Sequence, residues 1–342
     1  MQAEATIRRS TSRRLPPGAP TSYDGLVRAS PANPYWNPSN EEFFTQGAPP
    51  VKVYASEGTT GLRPFTVPDP DPGEDFDDIT FQILGPQTPA KWRGPAMLGF
   101  IVNYGKAIAS NPDYRGTLQW NPAIVNHITE CYSPNQVNVI SQLANSYAIC
   151  DRWFCSSPTQ TLPNRAFVHA GTSLGRVNNM PQPLYETRTI YEILGDCGVS
   201  RKVYNDSMFM SLTRLQFPSL WKPELQPHFQ GFDDFREDAA AGRLPAYSSV
   251  EPSFLVGPSD EHPPHDVCRG ERFLQAVWQA VSHGKNWNGT LLVITYDEHG
   301  GCYDHVPPPL AKIPVQPVPR RTGLLLRSVW RACANAADIS LY

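Results

Sequence analysis

The sequence predicts an α/β fold with a mostly parallel central sheet. Short apolar runs alternate with amphipathic helical segments along the chain, which is the order that βαβ units produce. The clearest run covers residues 291–295, Leu-Leu-Val-Ile-Thr, and is followed by Asp297, Glu298 and a Gly-Gly pair at 300–301. A continuous apolar run closed by glycines is typical of a buried parallel strand. The polar residues that follow it are therefore expected at the carboxyl edge of the sheet, where ligands bind in such folds.

The remaining elements follow from hydrophobic spacing. The pattern predicts helices over 78–84, 97–109, 137–148, 189–197 and 271–282, and a helix that begins near 166. It predicts further strands over 149–154 and 201–206. Proline accounts for 36 of the residues, about twice the usual share, so we expect long irregular loops between these elements.

The composition is that of a globular protein without a bias toward nucleic acid. The 342 residues include 29 basic and 32 acidic side chains, for a net charge of −3, and 40% are hydrophobic. This balance argues against a general polyanion binder, and no apolar run reaches the roughly 18 residues of a membrane helix. The seven cysteines form no CxxC pair, so neither a zinc pattern nor a disulfide framework is indicated. Residues 1–20 lack the apolar segment of a secretory signal, and cellular location and oligomeric state stay open.

Asp297 and Glu298 are the strongest candidates for a metal site. Two adjacent carboxylates at a strand end are costly to bury unless a cation lies beside them, and a divalent metal ion is the simplest such cation. The alternative is a pair of solvated loop acids that cap a helix. The apolar run before the pair, and Asp304 and His305 shortly after it, favour the metal.

Two further loops carry clustered polar side chains. Residues 259–266 contain His262 and His265 among three acids, which suits either a loop that faces phosphate or metal or the acidic N-terminal cap of a helix. Residues 156–165 are rich in hydroxyls and precede a predicted helix, whose terminal amides would attract an anion, although such loops are usually plain turns. Together the three clusters suit phosphoryl transfer, which needs a metal, a hydroxyl nucleophile and a histidine that protonates the leaving alkoxide.

Six motifs in a fixed order identify a family. The motifs are Pro-Asp-Pro-Gly followed by acids at 70–75, Cys-Asp-Arg-Trp-Phe at 150–154, Thr-Leu-Pro-Asn-Arg-Ala-Phe at 161–167, Ala-Gly-Thr-Ser at 170–173, Asp-Glu-His-Pro-Pro-His-Asp at 260–266 and Tyr-Asp-Glu-His-Gly-Gly-Cys-Tyr-Asp-His-Val-Pro-Pro-Pro at 296–309. With these motifs the chain resembles the phosphoesterase family of non-haemolytic phospholipases C and related acid phosphatases over about residues 23–309.

The resemblance implies an alkaline-phosphatase-like α/β sandwich and a metal-dependent hydrolase of phosphoric esters that passes through a phospho-enzyme. It assigns Thr161 as the nucleophile, which also meets the metal, and Asp297 and Glu298 as the metal pair. His262 becomes a phosphate contact or proton donor. One divalent metal ion of unknown identity is expected, and the substrate is a phospholipid or a small phosphoester.

Further positions are expected to bind substrate. The polar residues after the strand at 201–206 are Asn205 and Asp206, and we add His265 and His305 from the two histidine-bearing loops. Some members of the family carry a histidine after Asp-Pro-Gly, where this chain has Glu74, so that contact is changed or absent.

Both ends of the chain depart from the family. Its first strand, which ends in Glu-Asn and completes the metal site, has no counterpart upstream of Tyr23, so we expect residues 1–21 to be an irregular or non-native arm. We expect an incomplete phosphoesterase domain over 22–309 and an aberrant tail over 310–342. Suitable codons for 322–342, read with a one-base shift, encode Phe-Asp-Arg-Phe-Gly-Val-Arg-Val-Pro, which is the family's next strand. Our hypothesis is that the tail is frame-shifted.

Two alternatives remain at this point. The chain can be an inactive fragment or pseudoenzyme of the same family, because half of the expected metal ligands are missing. A sulfatase-like or phosphoglycerate-mutase-like relative would need a Cys or Ser nucleophile with a different set of acids and histidines, and Cys155 lies outside the Pro-Asn-Arg spacing.

Overall fold

The computed structural model describes residues 3–8, 54–55, 65–85, 97, 99–111, 122–132, 134–150, 152–179, 184–207, 210–304 and 306–309. The strands are β1 (Ala3–Arg8), β2 (Tyr54–Ala55), β3 (Glu130–Cys131), β4 (Arg201–Asn205), β5 (Phe229–Gly231), β6 (Tyr247–Glu251) and β7 (Leu291–Tyr296). The α-helices are α1 (Phe76–Leu84), α2 (Phe100–Ser110), α3 (Pro122–Val125), α4 (Asn138–Ser146), α5 (Thr161–Ala170), α6 (Ile190–Asp196), α7 (Leu212–Gln216), α8 (Phe232–Ala241) and α9 (Val267–Ser282).

Five strands form one mixed sheet in the order β5-β4-β6-β1-β7. Strand β4 is parallel to both β5 and β6, and β1 is antiparallel to both β6 and β7. Strand β7 therefore points the same way as β4, β5 and β6. The carboxyl ends of these four strands lie along one edge of the sheet, which is consistent with the α/β class. Strand β7, which we expected to be a buried parallel strand, pairs antiparallel with β1, its described neighbour.

Strand β1 occupies the position between β6 and β7. It lies within residues 1–21, which we expected to be irregular, and the sheet therefore has a strand where we expected one to be missing. Its direction is opposite to its neighbours: Ala3 pairs with Tyr296 and Arg8 with Leu291. The carboxyl end of β1 thus lies at the edge remote from Asp297.

Both faces of β4 contribute to hydrophobic cores. Successive side chains of a strand point to opposite faces, and Val203 and Tyr204 belong to different clusters. Tyr204 packs with Phe235 of α8 and Val277 of α9. Val203 packs with Ala166 of α5 in the other cluster. Helices therefore cover both faces of the sheet at β4, and α5 packs against one of these faces.

The predicted helices are confirmed apart from a few residues at their ends. Capping explains several boundaries. Asp75 accepts hydrogen bonds from the amides of Asp77 and Asp78 at the start of α1, and Asp266 accepts one from Cys268 at the start of α9. Thr189 and Glu192 form a capping box on α6. These side chains accept hydrogen bonds from backbone amides that have no partner within the first helical turn.

Three of the predicted elements need correction. Residues 149–150 and 152–154 pair with none of the described strands, and Trp153 is 66% exposed, so these residues form surface loop and not the predicted strand. Strand β7 is half-buried along most of its length, because its described neighbour in the sheet lies on one side only. Helix α5 begins at Thr161, five residues before the predicted start, because Pro163 is compatible with a first helical turn whose amides have no intrahelical acceptor.

Within the described residues, no helix combines the length and hydrophobicity that crossing a bilayer requires.

Candidate active site

Thr161 is the first residue of α5, and its side chain reaches the acidic pair that follows β7. Its hydroxyl Oγ1 donates a hydrogen bond to Oε1 of Glu298 at 3.0 Å, across 137 positions in sequence. Both residues are buried, as is Asp297, whose Oδ1 accepts a hydrogen bond from the Glu298 amide at 2.9 Å. The fold therefore brings together three residues that the resemblance assigns to one centre.

Asn164 fixes the loop that leads into Thr161. Its Oδ1 accepts the amide of Ser157 at 2.9 Å, and its Nδ2 donates to the carbonyls of Ser157 at 3.1 Å and Thr159 at 2.8 Å. One buried amide side chain thus satisfies three backbone groups of the preceding turn. These bonds tie the turn before the helix to a side chain of its first helical turn, and so hold Thr161 at the helix end.

A second clamp comes from the loop after α5. Oδ1 of Asn179 accepts the amide of Leu162 at 2.8 Å, and the Asn179 amide donates to Oε1 of Gln160 at 2.9 Å. These contacts fasten the residues on either side of Thr161. The nucleophile candidate is therefore positioned by both the loop before the helix and the loop behind it.

The electrostatics of Glu298 favour a nearby cation. Burial and the charge of Glu74 raise its pKa well above the usual range of a carboxyl, although the hydrogen bond from Thr161 lowers it. Glu298 is 3% exposed, and its second oxygen, Oε2, has no hydrogen-bond partner. An oxygen of this kind is costly to bury alone. A hard divalent cation accepts such oxygen ligands and restores the charged carboxylate.

Glu74 and Asp71 are functional candidates that sequence reasoning did not assign. Together with His262 they place three ligand atoms within 4.8 Å of one another, a group that could hold a metal ion. Oε2 of Glu74 lies 3.3 Å from Nε2 of His262, and Oδ1 of Asp71 lies 3.8 Å from Nδ1. The acids after Asp-Pro-Gly were visible in the sequence, but nothing local indicated that they meet a histidine nearly 190 positions away.

The loop that carries Asp71 and Glu74 is tied to its surroundings at four points. These are the hydrogen bonds of Tyr132 to Val67, His127 to the Asp69 carbonyl, Tyr104 to the Pro70 carbonyl and Gln82 to the Gly73 carbonyl. Oε1 of the same Gln82 side chain, on α1, lies 3.0 Å from Nε2 of His299, so Gln82 also links this loop to the segment that follows Glu298. The loop is therefore preformed.

His262 is positioned to remain protonated. Burial lowers its pKa, but the hydrogen bond and the charge of Glu74, with the charge of Asp71, outweigh this and raise the pKa to about 9. The same contact lowers the pKa of Glu74 although burial opposes it. A cationic imidazole beside an ionised carboxylate can donate a proton at neutral pH.

The other predicted positions are distributed unevenly. His265 lies in the same loop as His262, and its Nδ1 is 2.7 Å from Oδ1 of Asp260. Asp206 lies at the carboxyl end of β4, where its Oδ2 accepts a hydrogen bond from Ser259 at 3.4 Å. The side chain of Asn205 donates to the Ser207 carbonyl at 3.0 Å and lines a pocket at the ends of β4 and β5.

His305 and Cys155 are the remaining residues that the sequence analysis considered for the site. His305 lies outside the described residues. Cys155 lies close enough to Glu298 and Asp297 to be affected by their charges, and burial, together with those charges, raises its pKa to about 12. A thiol that stays protonated is a poor nucleophile, which disfavours the sulfatase-like alternative.

Comparison with known proteins gives a consistent set of matches. The model of the phosphoesterase family matches residues 22–323. Non-specific phospholipase C4 of Arabidopsis thaliana is 34% identical over 288 residues, which are 79% of this chain and 51% of that protein. Non-specific phospholipase C5 of the same plant is 36% identical over 259 residues, 72% of this chain and 47% of that protein. Phospholipase C A of Mycobacterium tuberculosis (strain ATCC 25618 / H37Rv) is 30% identical over 207 residues, 53% of this chain and 39% of that protein. The chain spans about half the length of the plant relatives.

Proposed function

Because the chain belongs to the phosphoesterase family, we propose that it hydrolyses phosphoric esters with Thr161 as the nucleophile. The observation that carries this proposal is the hydrogen bond from the Thr161 hydroxyl to Glu298, which unites the helix end and the acidic pair in one buried centre. Phospholipids and small phosphoesters are both candidate substrates, since the matched relatives are named phospholipases C.

Thr161 occupies a suitable position for attack on phosphorus. The N-terminus of α5 carries a partial positive charge, which favours the phosphoryl oxygens. The Thr161 hydroxyl gives its proton to Oε1 of Glu298, which accepts its hydrogen bond. Oγ1 forms a bond to phosphorus as the bond to the leaving oxygen breaks, and the leaving alkoxide takes a proton from an acid in the site. Water then cleaves the phospho-threonine, which returns the hydroxyl and releases the phosphorylated product.

Asp297, Glu298 and Thr161 are the residues that we expect to hold one divalent metal ion. Their fit rests on the chemistry of the set: three oxygen donors, with Oε2 of Glu298 buried and without a hydrogen-bond partner. When bound, such an ion lowers the pKa of the hydroxyl and withdraws charge from the phosphoryl oxygens. Several hard cations suit these ligands.

His262 is the proposed proton donor to the leaving oxygen. Glu74 keeps its imidazole protonated and orients it through the 3.3 Å contact. In the family a histidine can stand where this chain has Glu74, so the chain exchanges a cationic contact for an anionic one. We propose that His265, Asp206, Asn205 and His305 contact the substrate around this centre.

The proposal includes an alkaline-phosphatase-like fold and a division of the chain into three parts. The alkaline-phosphatase-like sandwich is supported by the hydrophobic cores on both faces of β4. Residues 22–309 form the phosphoesterase domain in this proposal, preceded by residues 1–21, of which Ala3–Arg8 contribute β1 to the sheet, and followed by an aberrant tail over 310–342.

The second candidate, an inactive member of the family, is favoured by the direction of β1. In the family the first strand supplies Glu and Asn to the metal at its carboxyl end. Here the carboxyl end of β1 pairs with Leu291, at the edge remote from Asp297. Strand β1 therefore brings no ligand from that end, and the metal would rest on few protein oxygens.

A metal-dependent hydrolysis assay tests the two candidates. The full chain is assayed with p-nitrophenyl phosphate and p-nitrophenyl phosphorylcholine across a panel of divalent metals, beside Thr161→Ala and Thr172→Ala. Thr172 lies just beyond the opposite end of α5, where its hydroxyl accepts only the amide of Leu174, so it is a matched control. Turnover that is lost in Thr161→Ala and retained in Thr172→Ala supports the enzyme. Turnover that is equally low in all three proteins, each of them folded, supports the inactive relative.

A further inference from the structure

A pocket of about 330 Å³ opens where β4 and β5 end. Asn205 and Gly231, the last residues of these parallel strands, are paired with each other and both line it. Ligands of α/β folds bind at this kind of edge. The pocket differs from the centre around Thr161 in composition, since the described residues that line it include no carboxylate and a single charged side chain, that of Arg214.

The guanidinium of Arg214 is held in place without an anionic partner. It stacks over Trp221 at 4.5 Å and over Phe229 at 5.1 Å from the ring centroids. Within the described part of the chain it makes no ion pair, and its buried Nε has no hydrogen-bond partner. The fully buried Arg165, by contrast, has a carboxylate acceptor in Glu251. A rigid cation with unused donors is a site for an anion.

Neutral polar groups surround this cation. Gln230 and Ser211 line the same pocket. Oε1 of Gln230 already accepts a hydrogen bond from Lys202 at 2.6 Å, so the group that Gln230 has left for a ligand is its Nε2 donor. The guanidinium already lies over one face of Trp221 and one face of Phe229, and its charge would repel a quaternary ammonium group. The chemistry of the lining therefore selects negative charge.

We propose that the Arg214 pocket binds a phosphate or similar oxyanion through the guanidinium, with Gln230 as a second donor. The ligand can be free phosphate or the phosphate of a lipid headgroup, which present the same oxygens. Asn205 connects the pocket to Asp206, which bonds to the loop of His262 through Ser259. A role for the pocket as a subsite for a second anionic group of the substrate rests on the proposed function, whereas anion binding itself does not.

The test is ¹⁹F NMR of the full chain labelled with 5-fluorotryptophan, with the Trp221 signal assigned by Trp221→Phe. Inorganic phosphate is titrated at constant ionic strength against sodium chloride. The anion would pair with the guanidinium that stacks on Trp221, so we expect a saturable shift of that signal. Loss of a charge-assisted hydrogen bond in Arg214→Gln should weaken apparent phosphate affinity about 10-fold or more.

Three comparisons make the result specific. Arg236 also stacks on an aromatic ring but already pairs with Asp233, so Arg236→Gln should behave as wild type. Thr161→Ala should also retain the shift, which separates the pocket from the proposed catalytic centre. Arg214→Lys keeps the charge and guards against a fold defect in Arg214→Gln.

A second titration distinguishes the source of the phosphate. It uses phosphatidylcholine vesicles with and without phosphatidic acid in phosphate-free buffer. A Trp221 shift with inorganic phosphate supports the proposal with a soluble anion, and a shift only with phosphatidic acid supports it with a lipid-borne one. The proposal is overturned if neither ligand moves the signal, or if Arg214→Gln and Arg236→Gln respond alike.

Discussion

The carboxylate of Glu74 holds the imidazole of His262 in a buried ion pair, with Oε2 3.3 Å from Nε2. Glu74 is 7% exposed, so little water screens the interaction. The pair joins two loops that are far apart in sequence and sets the protonation of His262. It lies beside Glu298, whose pKa responds to the charge of Glu74. A carboxylate at position 74 therefore acts on both sides of the centre.

The first prediction is that Glu74→Gln moves the alkaline limit of activity to lower pH. The proposed proton donor is the protonated form of His262, so turnover should fall as pH rises through the pKa of about 9. Without the charge at position 74, burial lowers this pKa, and the falling limb should shift down by about 1–3 pH units. The measurement is kcat/KM as a function of pH, which reports the free enzyme.

A control separates this effect from general loss of a buried acid. Glu192 is a helix-capping carboxylate that also contacts Lys222, and Glu192→Gln should leave the alkaline limb in place. An unchanged limb in Glu74→Gln would mean that another group controls activity at high pH.

The sequence predicted the parts of the site that depend on local pattern or on ordered motifs. The apolar run before Asp297 predicted the strand and the acidic pair at its end. The motif Thr-Leu-Pro-Asn-Arg assigned Thr161, although its helix was expected to begin five residues later. Local propensity could not decide this, since Pro163 ends helices in some contexts and starts them in others.

Contacts between segments that are far apart in sequence could not be predicted from the hydrophobic pattern. The contact between Glu74 and His262 joins positions 188 residues apart, and no periodicity encodes such a pair. Residues 149–154 have strand-like composition, but strand formation needs pairing with a neighbouring edge, and none of the described residues among them pairs with the sheet. Strand β1 was not predicted because its short sequence carries no clear strand pattern. It forms a strand by pairing with β6 on one side and β7 on the other.

The second prediction concerns Asn164, which positions Thr161 without touching the substrate. Asn164→Ala removes the partners of Ser157 and Thr159 and should cost about 1–3 kcal/mol of unfolding free energy. A displaced nucleophile should lower kcat by about 100-fold with a smaller change in KM. Steady-state kinetics and urea unfolding measure the two effects. Asn145→Ala, at an exposed position of α4 where the side chain bonds the Ser141 carbonyl, should leave kcat unchanged.

The third prediction is that the buried pair Arg165–Glu251 is far more sensitive to single than to double substitution. Both side chains are fully buried and hydrogen-bonded, and Glu251 also accepts the amide of Thr213 at 3.0 Å. Arg165→Met leaves the carboxylate buried without its cation and should cost about 3–5 kcal/mol in urea unfolding.

The double variant provides the test of that explanation. Arg165→Met combined with Glu251→Gln removes the charge but keeps an acceptor for the Thr213 amide. Its loss of unfolding free energy should be smaller than that of Arg165→Met alone. A double variant less stable than the single one would indicate that Glu251 has another cationic partner.

The fourth prediction is that Gly301→Ala separates the segment after β7 from the loop of Glu74. Gly301 has φ of +64°, and a Cβ there would lie 2.6 Å from Cβ of Pro72 and 2.7 Å from the carbonyl oxygen of Gly73. Backbone must move to accept the methyl group, because a carbonyl cannot rotate away as a flexible side chain can.

Gly171 is the matched control, since it has φ of +69° and no atom within 4 Å of the added Cβ. Gly171→Ala should cost about 1 kcal/mol for the left-handed backbone alone. Gly301→Ala should cost about 1–3 kcal/mol more from the overlap. It should also shift the alkaline limb as Glu74→Gln does, because the displaced loop carries Glu74 away from His262. Urea unfolding of the two alanine variants, with their pH profiles, checks both effects, and equal costs at the two glycines would show that the loops have room to adapt.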